Sequence, residues 1–154
     1  MRRRIALAVI SFWALAVPLA AGAADNSGYK TAGGLAVYLG VLPAAMIQGH
    51  QNHPEEAMHG GVPRGRHAFH VMAAVFEAAS GARIEDAKVS ARVTPLGLGG
   101  VTSALEPMEI AGTVTYGNYF TMSGDGPYRI ELSITPAGAS RPVMLGFSYE
   151  HGTR

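Results

Sequence analysis

The stretch His67-Ala68-Phe69-His70-Val71-Met72-Ala73-Ala74-Val75-Phe76-Glu77 reads as the strongest strand of the chain, and Ser80-Gly81 bounds it as a turn. In an extended chain successive side chains point to opposite faces. His67, Phe69, Val71, Ala73 and Val75 therefore share one face, and Ala68, His70, Met72, Ala74 and Phe76 share the other. Downstream, Lys88 to Thr94 alternates with period two and stops at Pro95. Tyr128 to Ile134 alternates again, with Tyr128, Ile130, Leu132 and Ile134 on one side. Upstream, the apolar run Leu35 to Leu42 ends at Pro43. Met108 to Thr115 (broken by Gly112), Tyr119 to Met122 (before the turn Ser123-Gly124-Asp125-Gly126) and Pro142 to Glu150 complete the set. Helix signals are weak: Pro43 to Gln48 and Pro54 to Met58 have room for a turn or two. About seven short strands separated by turn signals predict an all-β, antiparallel β-sandwich.

The first residues belong to a different kind of segment. Arg2-Arg3-Arg4 precede an apolar run from Ile5 to Ala20, and Ala21-Gly22-Ala23 precede Asp25-Asn26. A basic start, a short apolar run and an Ala-x-Ala site predict an N-terminal signal peptide over residues 1–23, and hence a periplasmic product. The run is short for a membrane span, which takes about 20 apolar residues. A mobile lead over 24–33 and a single sandwich domain over 34–151 are expected to follow, with a His-rich insert at 49–66. The whole chain of 154 residues carries 12 basic and 11 acidic side chains. Without the three leading arginines the balance is 9 basic against 11 acidic, a net charge of −2. That balance argues against nucleic-acid binding, and against membrane insertion or anionic-membrane binding after cleavage. Cysteine is absent, which excludes disulfides and thiolate metal sites.

Five of the six histidines fall between His50 and His70, accompanied by Met46, Met58 and Met72. Imidazole suits copper, zinc, iron and nickel, whereas thioether sulfur selects the softer Cu(I). Histidine with methionine and without cysteine predicts a copper site in an oxidising compartment, with iron and zinc as alternatives. If the strands run up and down in order, the insert, the start of the strand at His67, Met122 and His151 gather at one end of the sandwich. That construction needs a turn at Gly117-Asn118; with one uninterrupted strand from Tyr116 to Met122, His151 is expected at the opposite end. The expected metal ligands are His70, His59, His50, Met122, Met58 and His67. His70 leads because a strand holds its backbone, while Gly60-Gly61 lets the loop bearing Met58-His59 fold back. His67 shares a site with His70 only if a bulge at Ala68-Phe69 turns it. The bland alternatives are a solvated insert, an interior His70 and methionines that fill the core. Ligation needs neutral imidazole, so binding weakens as pH falls through about 6.5.

Enzyme signatures are missing: no Gly-x-Ser-x-Gly, no phosphate-binding loop, no dinucleotide fingerprint and no His-Glu-x-x-His. Glu55-Glu56 and Glu85-Asp86 are adjacent neighbours, the pattern of solvated turns. A metal-binding or metal-carrying protein is therefore expected rather than an enzyme, with a second periplasmic or membrane protein receiving the ion. A non-catalytic interaction module is the alternative.

Tyr119-Phe120-Thr121-Met122-Ser123-Gly124-Asp125-Gly126-Pro127-Tyr128-Arg129-Ile130, with Phe76 to Val93 (FEAASGARIEDAKVSARV), resembles the YtkA-like/FixH-like periplasmic family. That resemblance implies an Ig-like fold over about residues 67 to 135. A looser similarity to CopC-like and copper-chaperone sandwiches implies metal handling or assembly of respiratory oxidases. The His-rich insert, His50 to His59, does not map onto that family.

Overall fold

The computed structural model describes residues 28–47, 61–110, 112–124 and 126–151. Eight strands account for most of them: β1 (Tyr29–Ala32), β2 (Leu35–Pro43), β3 (Ala68–Glu77), β4 (Lys88–Pro95), β5 (Val101–Ile110), β6 (Thr113–Thr121), β7 (Gly126–Thr135) and β8 (Val143–His151). A single 3-10 turn, Ala44–Met46, follows β2. Every pairing is antiparallel, in the order β1-β2-β3-β6-β5-β4-β7-β8.

The series folds over at β5. Val101 to Leu105 pairs with β4, whereas Glu106 to Ile110 pairs with β6. Leu105 and Met108 are both buried although three residues apart, which breaks the period of two where the strand crosses between sheets. The two halves then face each other across one apolar core. Val37, Val71, Val75, Tyr116 and Phe120 come from one side, and Val93, Ile130, Leu132, Leu145 and Phe147 from the other. β1 and β8, the ends of the series, pack against each other and bring the open side of the sandwich together.

Three expectations change. The strands number eight rather than about seven. Tyr29–Ala32 lies within the expected mobile lead but pairs with β2, from Tyr29↔Tyr38 to Ala32↔Leu35, across the two-residue turn Gly33-Gly34. The break after Met108 proves to be a hairpin turn at Gly112, whose φ of 75° suits only glycine well. That turn separates β5 from an uninterrupted β6, and no turn occurs at Gly117-Asn118. Moving the turn leaves the strand parity intact, so Met122, the start of β3 and the backbone of His151 (opposite Gly126) share one end of the sandwich. The signal-peptide residues 1–23 lie outside the described residues, as do His50, His53, Met58 and His59.

Candidate metal centre

β3 buries its core face along its length and, at its start, Ala68 and His70 on the other face, where Met72, Ala74 and Phe76 are half-buried. Its odd-numbered residues from Phe69 to Val75 enter the main core. Its even-numbered residues turn outward, yet none is charged, and His70 is 0% exposed. Part of the cover comes from the chain just after β2. The turn Ala44–Met46 packs against β3, and Ala44 and Ile47 are themselves buried without joining the main core. Met108 of β5 is buried outside the main core as well. His70 and Met108 thus belong to a second, smaller interior on the outward side of the β2-β3-β6-β5 sheet.

Gly117 organises this second interior. It stands on β6 between Met72 of β3 and Glu106 of β5. A Cβ placed on Gly117 would lie 2.7 Å from His70 Nε2 and 3.2 Å from Cε1, and would also strike Met108 Cε. The imidazole edge and the thioether end therefore converge over a bare backbone, and the sulfur of Met108 is one bond from that methyl. Tyr119, opposite His70 in the ladder, stacks on the imidazole with ring centroids 4.6 Å apart and planes 29° from parallel. Stacking restrains the ring plane and leaves its Nε2–Cε1 edge toward Gly117. Met72 shares the face of His70 at the i,i+2 position and leans the other way. A Cβ on its partner Gly40 would lie 3.3 Å from Met72 Cε.

The group that converges over Gly117 is one imidazole and one thioether; the Met72 thioether shares the face but is directed toward Gly40. Sulfur donors of this kind select Cu(I), and imidazole accepts it too. Among the described residues no three His, Asp or Glu side chains lie close enough together to hold a metal ion. Any further donors to a metal at His70 would therefore be thioethers on the same face, of which Met108 stands over Gly117, or groups outside the described residues.

The other expected ligands distribute as follows. β3 is regular from Ala68 to Ala73 against β6, without a bulge at Ala68-Phe69, so His67 and His70 take opposite faces. Met122 continues that ladder, its N–H donating to the His67 carbonyl at 2.8 Å. Its side chain, 0% exposed, belongs to the main core. His67 is half-buried at the rim, and its Nε2 accepts a hydrogen bond from Arg66 Nε at 2.9 Å. Met108 is the residue that sequence reasoning missed. Gly117 held the available signal, because a glycine inside a strand marks a place where another group comes close.

No protein-family model matches the chain, and no curated protein matches it in sequence. Solved structures share its fold. A copper-bound variant of FetP from uropathogenic Escherichia coli superposes with a TM-score of 0.63 at 14% identity, over 82% of this chain and 95% of that one. A DUF4426 family protein from Pseudomonas aeruginosa gives 0.62 at 18% identity, over 82% and 94%. Copper-reconstituted P19 from Campylobacter jejuni gives 0.60 at 13% identity, over 81% and 93%. The chain is thus similar in fold to two proteins solved with copper, and no family model supports the YtkA-like/FixH-like assignment specifically.

Proposed function

We propose that this chain is a periplasmic protein that binds and carries copper, held as Cu(I) by His70 Nε2 with Met108 and Met72 as sulfur donors. The observation that carries this reading is the convergence of His70 and Met108 over Gly117. The fold shared with copper-bound FetP and copper-reconstituted P19 supports it. His50, Met58 and His59 are proposed as further donors from the insert, which leaves the described chain at Ile47 beside the same face. His67 and Met122 face the other way and lie outside this site. A carrier must release its ion, and neutral thioethers hold Cu(I) without the charge of a thiolate, which suits transfer to a receiving protein. Export through the signal peptide places it where such transfer occurs.

The test is a titration of the exported protein with Cu(I), in competition with a chromophoric Cu(I) chelator, alongside Cu(II), Zn(II) and Fe(II). One Cu(I) per chain, bound more tightly than about micromolar and lost in His70→Ala, is expected. Failure of every ion to bind that tightly would contradict the proposal.

A further inference from the structure

The end of the sandwich where β4 finishes carries the loop Pro95-Leu96-Gly97-Leu98-Gly99-Gly100-Val101. Leu96, Leu98 and Val101 are 80%, 70% and 63% exposed there. The loop is tied down: Leu96 N–H donates to the Pro127 carbonyl and Leu98 N–H to the Pro95 carbonyl, each at 3.2 Å. Single exposed hydrophobic side chains are ordinary on a folded protein. Three on one anchored loop, with no polar side chain between them, mark a contact surface.

A second observation says what the surface meets. Beside the loop runs a groove of about 570 Å³ bordered by Leu96, Lys30, Arg129, Thr94, Phe147 and Ser148. The Lys30 ammonium lies 5.6 Å from the Phe147 ring centroid. The Arg129 guanidinium rests along bare Gly146, with Nη2 3.5 Å from where a Cβ would stand, and Nε is 3.1 Å from Glu131 Oε1. Arg92 Nε reaches the position a Gly100 Cβ would take. Three cations thus stand with two carboxylates, Glu131 and the exposed Glu150 opposite Pro127, beside the apolar loop, in a chain whose net charge beyond residue 23 is −2. The overall balance conceals this segregation. Arg129 stands three residues along β7 from Gly126, about 10 Å back from that end of the strand. An apolar tip with a cationic band set behind it matches the order of acyl chains and phosphates at an anionic bilayer surface.

We infer that this loop docks the protein onto an anionic lipid surface, with Leu96, Leu98 and Val101 entering the acyl boundary and Lys30, Arg92 and Arg129 meeting the lipid phosphates. No helix among the described residues is long and apolar enough to cross a membrane.

Flotation of the exported, processed protein with phosphatidylcholine vesicles, with and without about 30% phosphatidylglycerol, tests the inference. Binding to the anionic vesicles should fall at least about fivefold in Leu96→Asp/Leu98→Asp, and also in high salt. Lys30→Gln/Arg129→Gln should lower binding to anionic vesicles and leave any residual binding to phosphatidylcholine unchanged. Circular dichroism confirms that each variant is folded. Absence of flotation with the anionic vesicles, or equal flotation of the leucine variant, would overturn it. So would a leucine variant that changes only the sedimenting mass, since the loop would then join two copies of the chain.

Discussion

His70 and Met108 approach from the two strands that flank β6 and meet over its single glycine, Gly117. Any side chain at that position would stand between the imidazole and the thioether. Replacing Gly117 with Ala puts a methyl 2.7 Å from His70 Nε2 and into Met108 Cε, so both side chains must move. Overpacking of this kind costs about 1–3 kcal/mol of stability. Gly117→Ala should remain folded by circular dichroism while its Cu(I) affinity drops about tenfold or more, a change of about 1.4 kcal/mol.

Methionine-to-leucine changes separate sulfur from shape. Leucine nearly conserves the volume, so Met108→Leu, Met72→Leu and Met122→Leu should each cost under about 1.5 kcal/mol in urea denaturation. Met108→Leu and Met72→Leu should weaken Cu(I) binding in a chelator competition. Met122→Leu, on the core side of the sheet, should leave it unchanged.

Tyr116 fastens the connection between β3 and β4 to β6. Its hydroxyl accepts from Ala87 N–H at 2.9 Å and donates to the Ile84 carbonyl at 3.1 Å. Tyr116→Phe leaves both backbone groups without that partner and should cost about 1–3 kcal/mol. Burial raises the phenol pKa above 10.0, and the nearby Asp86 and Glu85 add to the rise. The folded state then holds the proton more tightly than the unfolded chain does. This stabilisation is complete below pH 10 or so and is lost as pH rises through the higher folded value. Tyr149, also raised by burial, acts in the same direction. Denaturation midpoints measured between about pH 8 and pH 11 should fall with rising pH, and less steeply in Tyr116→Phe.

Arg83 braces the far end of the outward face. Its Nε donates to the Val114 carbonyl at 2.9 Å, and Nη2 donates to Thr113 and Thr115 Oγ1 at 3.2 and 3.1 Å. The guanidinium also lies 4.7 Å from the Phe76 ring centroid. A lysine ammonium cannot reproduce that planar fork, so Arg83→Lys should lose about 1–2 kcal/mol in chemical denaturation.

The sequence made some strands legible and hid others for physical reasons. β4 and β7 each have one face in the core, so Val89, Ala91 and Val93, and Tyr128 to Ile134, display a period of two. β5 breaks that period between Leu105 and Met108 as it changes sheets, and strand boundaries read from alternation fell apart there. β1 is only four residues long; its clearest sign was the Gly33-Gly34 turn rather than its own composition. His70 was legible as the histidine deep inside a strong strand. Met108 was not, because its meeting with His70 depends on β6 lying between β3 and β5, a pairing of strands distant in the chain. The bulge imagined for His67 fails because Ala68 and Phe69 keep their ladder partners Thr121 and Phe120.

Copper K-edge X-ray absorption of the Cu(I)-loaded protein tests the central claim most directly. Nitrogen and sulfur neighbours together are expected, with the sulfur contribution reduced in Met108→Leu and the nitrogen contribution reduced in His70→Ala. A spectrum with nitrogen and oxygen neighbours alone, unchanged by Met108→Leu, would contradict it.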